Sequence, residues 1–261
     1  MITFKDTPVT YEQFLASAKS HVEQDKLIRE IYWDTDKGKG CAVGCLLDDY
    51  TKLYNIKHDD LASYEKLFGI PRQIAELQDV IHEGLPEDET KDWLLTFAST
   101  IQPNQDLSLV WPRFAHWLLV DSEHGVINYT DNAKDAIRAI ATLYQSVIDG
   151  HVPSNNEWIA AWDTAWDTAG DAARAAAWDT AWGTAWDTAW YAAKAVAWDT
   201  AGDGAWDTAR DAVGYAARAA AWAAAGDGYA ARAAKYQAMR DKLIALIHDA
   251  PIVSQIDNET P

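Results

Sequence analysis

Two cysteines in a glycine-rich segment are the first residues whose type and spacing could do chemistry. Segment 38–45 has the sequence GKGCAVGC and places Cys41 and Cys45 four residues apart, on one face if the segment is helical. Its glycines are spaced GxGxxxG, one residue off the dinucleotide-binding fingerprint. With Lys37 and Lys39 beside a predicted helix start, the segment could hold an anion. The competing interpretation is a glycine-rich turn that begins a helix and buries two small thiols.

The thiols themselves allow two further hypotheses. A cysteine at a helix start can have a lowered pKa and act as a nucleophile, which would make the protein a cysteine-dependent enzyme. A zinc site would have to borrow His58 or His116, because no nearby histidine completes a ligand set. We favour neither hypothesis and predict no catalytic residue, no metal ligand and no cofactor. Two cysteines also do not make a disulfide framework.

Segment 121–125, with the sequence DSEHG, brings an acid, a serine and a histidine together. Catalytic triads assemble from positions that are distant in sequence, so this adjacency is weak support for hydrolysis. Ser122 also lacks the glycines of a nucleophile elbow. We therefore interpret the segment as the polar end of an apolar helix.

A four-residue repeat dominates the second half of the chain. Between Ala161 and Ala225, alanine occupies 16 of 17 positions spaced four apart, and Val213 is the exception. The next position is tryptophan nine times and otherwise glycine, arginine or lysine. The word Ala-Trp-Asp-Thr has thus been copied along this region, which argues against an ordinary catalytic domain there.

The repeat predicts α-helices, because alanine has the highest helix propensity. A period of four overshoots the helical period by about 40° per word, so one long helix would lose its face. Glycine-containing breaks divide the repeat. The predicted helices lie near 156–169, 171–201, 204–225 and 228–249, packed as hairpins or a small solenoid. Strands would place tryptophan and threonine on one face, but alanine-rich insertions interrupt that alternation.

Tryptophan and cationic residues of the repeat form a candidate ligand site. Indole rings could stack on a nucleotide-like ligand while the cations pair with its phosphate. The candidate ligand-binding residues are Trp178, Trp182, Trp186, Trp190, Trp198, Trp206, Arg174, Lys194, Arg210 and Arg218. The alternative is a core of stacked indoles, with the cations paired to neighbouring aspartates at the surface.

Local signals in the first 150 residues predict an ordinary helical domain. Thr10 with Gln13 resembles a capping box, and Pro71 suits the first position of a helix that runs to His82. Further helices are predicted at 87–101, 107–120 and 131–148, and the best strand candidate is 30–33. The whole protein is therefore predicted to be all-α, with an N-terminal domain at 1–150, a repeat domain at 156–249 and a flexible tail at 250–261.

The charge of the chain limits its partners. The net charge is −18 over 261 residues, so the protein should repel nucleic acids and anionic membranes. The sequence contains no apolar run of the length that spans a membrane, and the first residues lack the apolar core of a signal peptide. We expect a cytoplasmic location in a bacterial or infected host cell.

Parts of the chain resemble known sequences. The alanine-rich words and glycine breaks of 169–234 resemble the helical repeats of bacterial immunity-type proteins. Segments 40–45 and 122–126 are similar to stretches of phage and bacterial proteins. The resemblance implies a protein that neutralises a toxin or a defence component by binding, and it carries over no site residue.

The functional prediction follows from the repeat and the charge. Repeat architectures usually present binding surfaces, and a negative field steers basic partners. We predict a non-catalytic helical binding protein of the inhibitor, immunity or counter-defence type, with a basic-patched protein partner and no direct nucleic-acid or membrane partner. Sequestration of a nucleotide-like ligand and a cysteine-dependent enzyme are the alternatives, and a homo-oligomer is left open.

Overall fold

The protein is all-α. The computed structural model describes residues 1–129, 134–154, 156–158, 160–161 and 229–253. Across these ranges the regular elements are α-helices and one 3-10 helix, with a few isolated β-bridges and no β-strand. The strand predicted at 30–33 is wrong: this segment is a loop whose Ile31 carbonyl accepts the Cys41 N–H at 2.9 Å.

The helices follow the local signals closely. They are α1 (Tyr11–Glu23), α2 (Ala42–Tyr54), α3 (Ala62–Phe68), α4 (Arg72–Gly84), α5 (Glu87–Thr100), α6 (Val110–Val120), a 3-10 helix (Val126–Tyr129), α7 (Lys134–Ile148) and α8 (Tyr229–His248). The helix predicted at 228–249 is thus confirmed as α8. The start of the helix predicted near 156–169 is also helical, at 156–158 and 160–161. The rest of that helix, the helices predicted at 171–201 and 204–225 and the packing of the repeat concern residues 162–228, which lie outside the described residues.

Side-chain hydrogen bonds satisfy free amides at the start of α1 and of α4. The predicted capping box is confirmed, because the Gln13 N–H donates to Thr10 Oγ1 at 3.3 Å and the Thr10 N–H donates to Gln13 Oε1 at 2.9 Å. Pro71 precedes α4 as its cap with ψ 137° and is not its first helical residue. The Arg72 N–H donates to Glu65 Oε1 at 3.1 Å, so a side chain of α3 satisfies the first helical amide.

Residue contacts divide the chain into two compact units. The first comprises Met1–Val110 with Asp241–Pro261, and the second comprises Trp111–Arg240. This grouping differs from the sequence-based division at residue 150, which stays a prediction about independently folding domains.

Helices of the first unit surround α4. Helix α1 packs against α2 and α5, and α4 packs against α2, α3 and α5. Aromatic rings fill the core: Phe14 lies 4.9 Å from Phe68, centroid to centroid, and Trp93 lies 5.8 Å from Phe97. Each of these four side chains is at most 1% exposed. Burial of such rings removes large apolar surfaces from water and stabilises the unit.

Within the first unit, segment 104–107 pairs with residues close to both termini of the chain. Ile2 pairs with Asp106, and Ile252 pairs with Gln105, in antiparallel bridges. The buried Gln105 amide donates from Nε2 to the Ala250 carbonyl at 3.2 Å. Residues 250–253, assigned from sequence to a flexible tail, therefore take part in defined hydrogen bonds. The remaining tail residues, 254–261, lie outside the described residues.

Aromatic contacts organise the described part of the second unit. Trp111 of α6 meets Tyr144 of α7 edge to face, with centroids 6.2 Å apart. Tyr144 in turn lies 5.2 Å from Trp158, which is 1% exposed. Helix α7 buries residues spaced three or four apart, as its sequence pattern predicted.

Polar side chains are unusually frequent on the buried helix α4. Its buried polar residues are Arg72, Glu76, Gln78, Asp79 and His82. Gln78 accepts two hydrogen bonds: its side-chain Oε1 accepts from the Tyr64 hydroxyl at 3.1 Å, and its backbone carbonyl accepts from Trp93 Nε1 at 2.9 Å. Such groups are tolerated in a core only when partners replace water.

His82 is the residue of α4 whose charge state matters most for stability. Its Nε2 donates to the Ile28 carbonyl at 3.0 Å, because a carbonyl can only accept. Burial lowers the pKa of His82 to about 4, since the charged imidazole would lose its hydration.

The lowered pKa of His82 predicts a loss of stability in mild acid. Between pH 6.5 and about 4, His82 binds a proton in the unfolded chain but not in the folded one. The free energy of unfolding therefore falls as pH falls through this window, by at most about 1.4 kcal/mol per pH unit from this group. Urea unfolding at pH 7 and pH 5 should show a smaller pH effect in His82→Gln.

The control for this prediction is His248→Gln, because the His248 side chain is 76% exposed. It should keep the wild-type dependence on pH. Equal pH dependence in His82→Gln and the wild-type protein would contradict the assignment.

Candidate functional site

Helix α2 carries two clusters of polar side chains. At its start, Cys41 lies beside Asp79 and Glu83, and these three residues form the thiol cluster. In its second half, Asp48 and Asp49 lie beside His21 and His58, and these four residues form the histidine cluster. Both clusters belong to the first unit.

The glycine-rich segment is a turn that begins α2, as the second of our two interpretations predicted. Cys41 is the cap of α2, and its sulfur accepts the Gly44 N–H at 3.5 Å. Cys45 donates its thiol to the Gly40 carbonyl at 3.5 Å. Both cysteines are free and buried. The Cys41 thiol therefore caps the turn that begins α2, and both thiols are packed in the core.

The anion-binding hypothesis for this segment loses several of its candidate donors. The N–H groups of Gly40, Cys41 and Gly44 already donate to protein acceptors. The two lysines also have acidic partners, since Lys37 Nζ lies 3.0 Å from Asp34 and Lys39 Nζ lies 3.3 Å from Asp25. These hydrogen bonds and ion pairs favour the turn interpretation over anion binding.

The thiols lack the lowered pKa that the nucleophile hypothesis requires, because their pKa values move in the opposite direction. Burial, with the nearby charge of Asp79, raises the pKa of Cys41 well above its ordinary value. Burial raises the pKa of Cys45 to about 12. Loss of hydration outweighs the hydrogen bonds with the backbone, which act to lower the pKa of both thiols. They stay protonated at neutral pH.

A close backbone approach explains the two glycines that flank Cys41. A Cβ atom on Gly40 would lie 2.1 Å from the Tyr32 carbonyl oxygen, and one on Gly44 would lie 1.5 Å from it. Real Cβ atoms do not approach an oxygen so closely. The loop before α2 can therefore rest on the helix start only where side chains are missing.

The histidine cluster joins α1, α2 and the loop after α2. His58 does not complete a cysteine zinc site as considered from sequence; its Nε2 lies 2.9 Å from Asp48 Oδ1. Its ring stacks on Trp33, with centroids 5.0 Å apart and planes 2° from parallel. Trp33 also meets the ring of His21 edge-on at 6.2 Å. The other histidine considered, His116, belongs to the second unit.

Asp49 and His21 face each other within the histidine cluster. His21 Nε2 lies 3.5 Å from Asp49 Oδ2, which also accepts a hydrogen bond from Ser17 at 2.6 Å. The His21 contact and the Ser17 hydroxyl hold the pKa of Asp49 below its usual value. Sequence analysis missed this grouping. The residues are separated by more than a helix, and only the packing of α1 on α2 brings them together.

Segment 121–125 in the second unit is a polar turn after a helix, as predicted. Asp121 Oδ1 accepts the N–H groups of Glu123 at 3.0 Å and His124 at 2.8 Å. The amine of Lys235 donates to the His124 carbonyl and lies 5.6 Å from the Trp117 ring centroid. Burial lowers the pKa of Lys235 to about 8.

The predicted ligand-binding residues lie outside the described residues. All ten of them, from Arg174 to Arg218, fall within 162–228. The alternatives of a stacked indole core and a nucleotide-binding face therefore stay predictions.

Comparison with known proteins identified no match to this chain. No family model, no curated protein and no solved structure matches it. Among the helices in the described part of the chain, none is both long and apolar enough to cross a membrane.

The buried thiols predict slow labelling. Dithionitrobenzoate at pH 7.5 should react with the folded protein at least a hundredfold more slowly than with a free cysteine, because thiolate is scarce and burial blocks access. Both thiols should react promptly in guanidinium. Rapid reaction of one thiol per folded chain would restore the cysteine-dependent enzyme as a hypothesis.

The close approach at Gly44 predicts an unusual response to alanine. Gly44→Ala should lower the free energy of unfolding by about 1–3 kcal/mol or more through overpacking, although alanine normally favours a helix. Gly38→Ala is the control: its Cβ would meet nothing within 4 Å, and its positive φ should cost only about 1 kcal/mol. Denaturant midpoints measure both, and an equal or smaller effect at Gly44 would contradict the close approach.

Proposed function

We propose that the protein is a helical binding protein that acts on a partner protein with a basic patch. An inhibitor, immunity or counter-defence role, exerted in the cytoplasm of a bacterial or infected host cell, is part of this proposal. The face proposed to bind lies at the end of α2. We name it the α2 face and define it by Asp49, Leu53 and Tyr54.

The exposure of apolar side chains on the α2 face is the observation that carries the proposal. Leu53 is 72% exposed and Tyr54 is 37% exposed. Asp49, with a side chain 47% exposed, lies one helical turn before Leu53 and therefore on the same side of α2. An apolar centre beside charged side chains is the usual composition of a protein-binding surface.

The charge of the chain supports a basic partner. The chain has 40 acidic and 22 basic residues, with a net charge of −18. A field of this sign accelerates association with a positive surface and opposes binding to nucleic acid. Apolar contact at Leu53 would then supply short-range affinity, while the field supplies the encounter rate.

The cysteine-dependent enzyme receives less support than binding does. Both of its candidate nucleophiles are buried, and their raised pKa values keep them protonated. Sequestration of a nucleotide-like ligand depends on the repeat, and no described residue favours it over binding to a protein.

Partner capture tests the proposal. The wild-type protein, Leu53→Asp and Val152→Asp are immobilised and exposed to lysate of the source cells in buffer with EDTA. We expect the wild type to retain a basic protein that Leu53→Asp loses at least tenfold, since a buried charge replaces an apolar contact. Raising the salt to 0.5 M should release it, because salt screens the field.

Val152→Asp is the matched control. Val152 is 81% exposed, so it is an equally accessible aliphatic residue that lies outside the α2 face. It should retain the same protein as the wild type. Capture that is unchanged by Leu53→Asp, or no specific capture at any salt concentration, would contradict the proposal.

A further inference from the structure

The packing of α1 on α2 brings one imidazole and two carboxylates to a single point. One ligand-type atom from each of His21, Asp48 and Asp49 lies within 4.8 Å of the other two. Ligands on one first-row metal ion are bound at about 2.0–2.2 Å, so they lie about 3–4 Å apart. The observed spacing is therefore close to that of a three-residue metal site and needs only a small contraction.

The buried imidazole of His21 lacks the hydrogen bonds that its position would require. His21 is 1% exposed, and its Nδ1 makes no hydrogen bond to the described part of the protein. Its Nε2 faces Asp49 Oδ2 at 3.5 Å, which is longer than an ordinary hydrogen bond to a carboxylate. A buried ring nitrogen without an ordinary hydrogen bond is costly, and a cation held between Nε2 and the carboxylates would partner Nε2 but not Nδ1.

The two carboxylates are held in place by neighbouring side chains. Ser17 donates to Asp49 Oδ2 at 2.6 Å, and His58 Nε2 lies 2.9 Å from Asp48 Oδ1. Trp33 fixes the plane of His58 by stacking on it. Carboxylate ligands in metal sites are commonly oriented by such neighbours. Two negative charges at this separation also repel each other, which a divalent cation would reverse.

From this geometry we propose that His21, Asp48 and Asp49 bind a divalent first-row transition-metal ion, with His58 as the residue that orients Asp48. One imidazole nitrogen and two carboxylate oxygens suit Zn²⁺ or Mn²⁺ better than Ca²⁺, which prefers oxygen ligands alone. The site is independent of the α2 face in its chemistry, although Asp49 belongs to both.

The thiol cluster is the competing place for a metal ion. Cys41, Asp79 and Glu83 satisfy the same distance criterion. The Cys41 thiol, however, is buried and carries a proton that the ion would have to displace, which weakens binding at neutral pH. The experiment therefore includes Cys41→Ser, which should bind metal as the wild type does.

Calorimetric titration with Zn²⁺ and with Mn²⁺ tests the proposal on the full chain without an affinity tag. We expect one equivalent to bind to the wild-type protein. The double variant Asp48→Asn and Asp49→Asn keeps the shape of both side chains and should weaken binding at least a hundredfold. His58→Gln should weaken it about tenfold or more, because it removes an orienting contact.

The matched control neutralises two acids elsewhere. Glu87 and Asp88 are exposed neighbours in the first turn of α5, and the double variant Glu87→Gln and Asp88→Asn should bind metal as the wild type does. If the cluster variant melts below the wild type, Asp48→Asn alone replaces it and should still weaken binding at least tenfold.

Three outcomes would overturn the metal site. They are equal affinity in the cluster variant and the wild type, loss of binding in Cys41→Ser, and no saturable binding of either ion by the wild type at submillimolar concentration. These measurements use no partner protein, and the capture experiment uses EDTA. Failure of the metal site and failure of the proposed binding function are therefore distinguishable.

Discussion

The contact between the Tyr32 backbone and the start of α2 is the constraint on which the first unit depends. Its carbonyl oxygen occupies the space that a Cβ atom on Gly40 or Gly44 would need. The loop before α2 and the first turn of α2 therefore lie against each other directly, backbone to backbone. The position of α2 follows from this contact, and α2 in turn packs against α1 and α4. The thiol cluster and the histidine cluster both include residues of α2 or its cap, so the geometry of each depends on the position of α2.

Burial controls the chemistry of the polar groups beside α2 and α4. It raises the pKa of Cys45 to about 12 and lowers that of His82 to about 4. In each case the neutral form is the one that a medium of low polarity favours. The same effect makes the long contact between His21 Nε2 and Asp49 costly, because the buried nitrogen has lost its water and gains no short hydrogen bond in return.

Local sequence signals predicted most of the helices in the described ranges. Thr10 with Gln13 placed the start of α1, and the three acidic residues in the first turn of α5 suit its helix dipole. The apolar stripe of α7 was equally clear. These signals act within one or two turns of the chain, so they do not depend on how the helices later pack. The strand predicted at 30–33 failed because propensity there is overridden by contact with α2.

Long-range features were not accessible to the same reasoning. The pKa of a thiol depends on what covers it, and the sequence around Cys41 shows the helix start but not Asp79 above it. In the histidine cluster, His21 of α1 contacts Asp49 of α2. This contact depends on how the two helices pack, and residue spacing in a single sequence does not predict it. Glycines in segment 38–45 suggested a ligand site, because glycine lets a backbone approach a ligand closely. Glycine equally permits close approach by another backbone, and the sequence does not distinguish these two uses.

The pairing of 104–107 with residues near both termini has a consequence for how the protein is made. The first unit needs Gln105 and the segment around Ala250 to meet. A ribosome delivers Gln105 long before Ala250, so this unit stays incomplete while more than a hundred intervening residues emerge. Gain or loss of whole repeat words would lengthen or shorten that delay without altering segment 104–107 or the segment around Ala250.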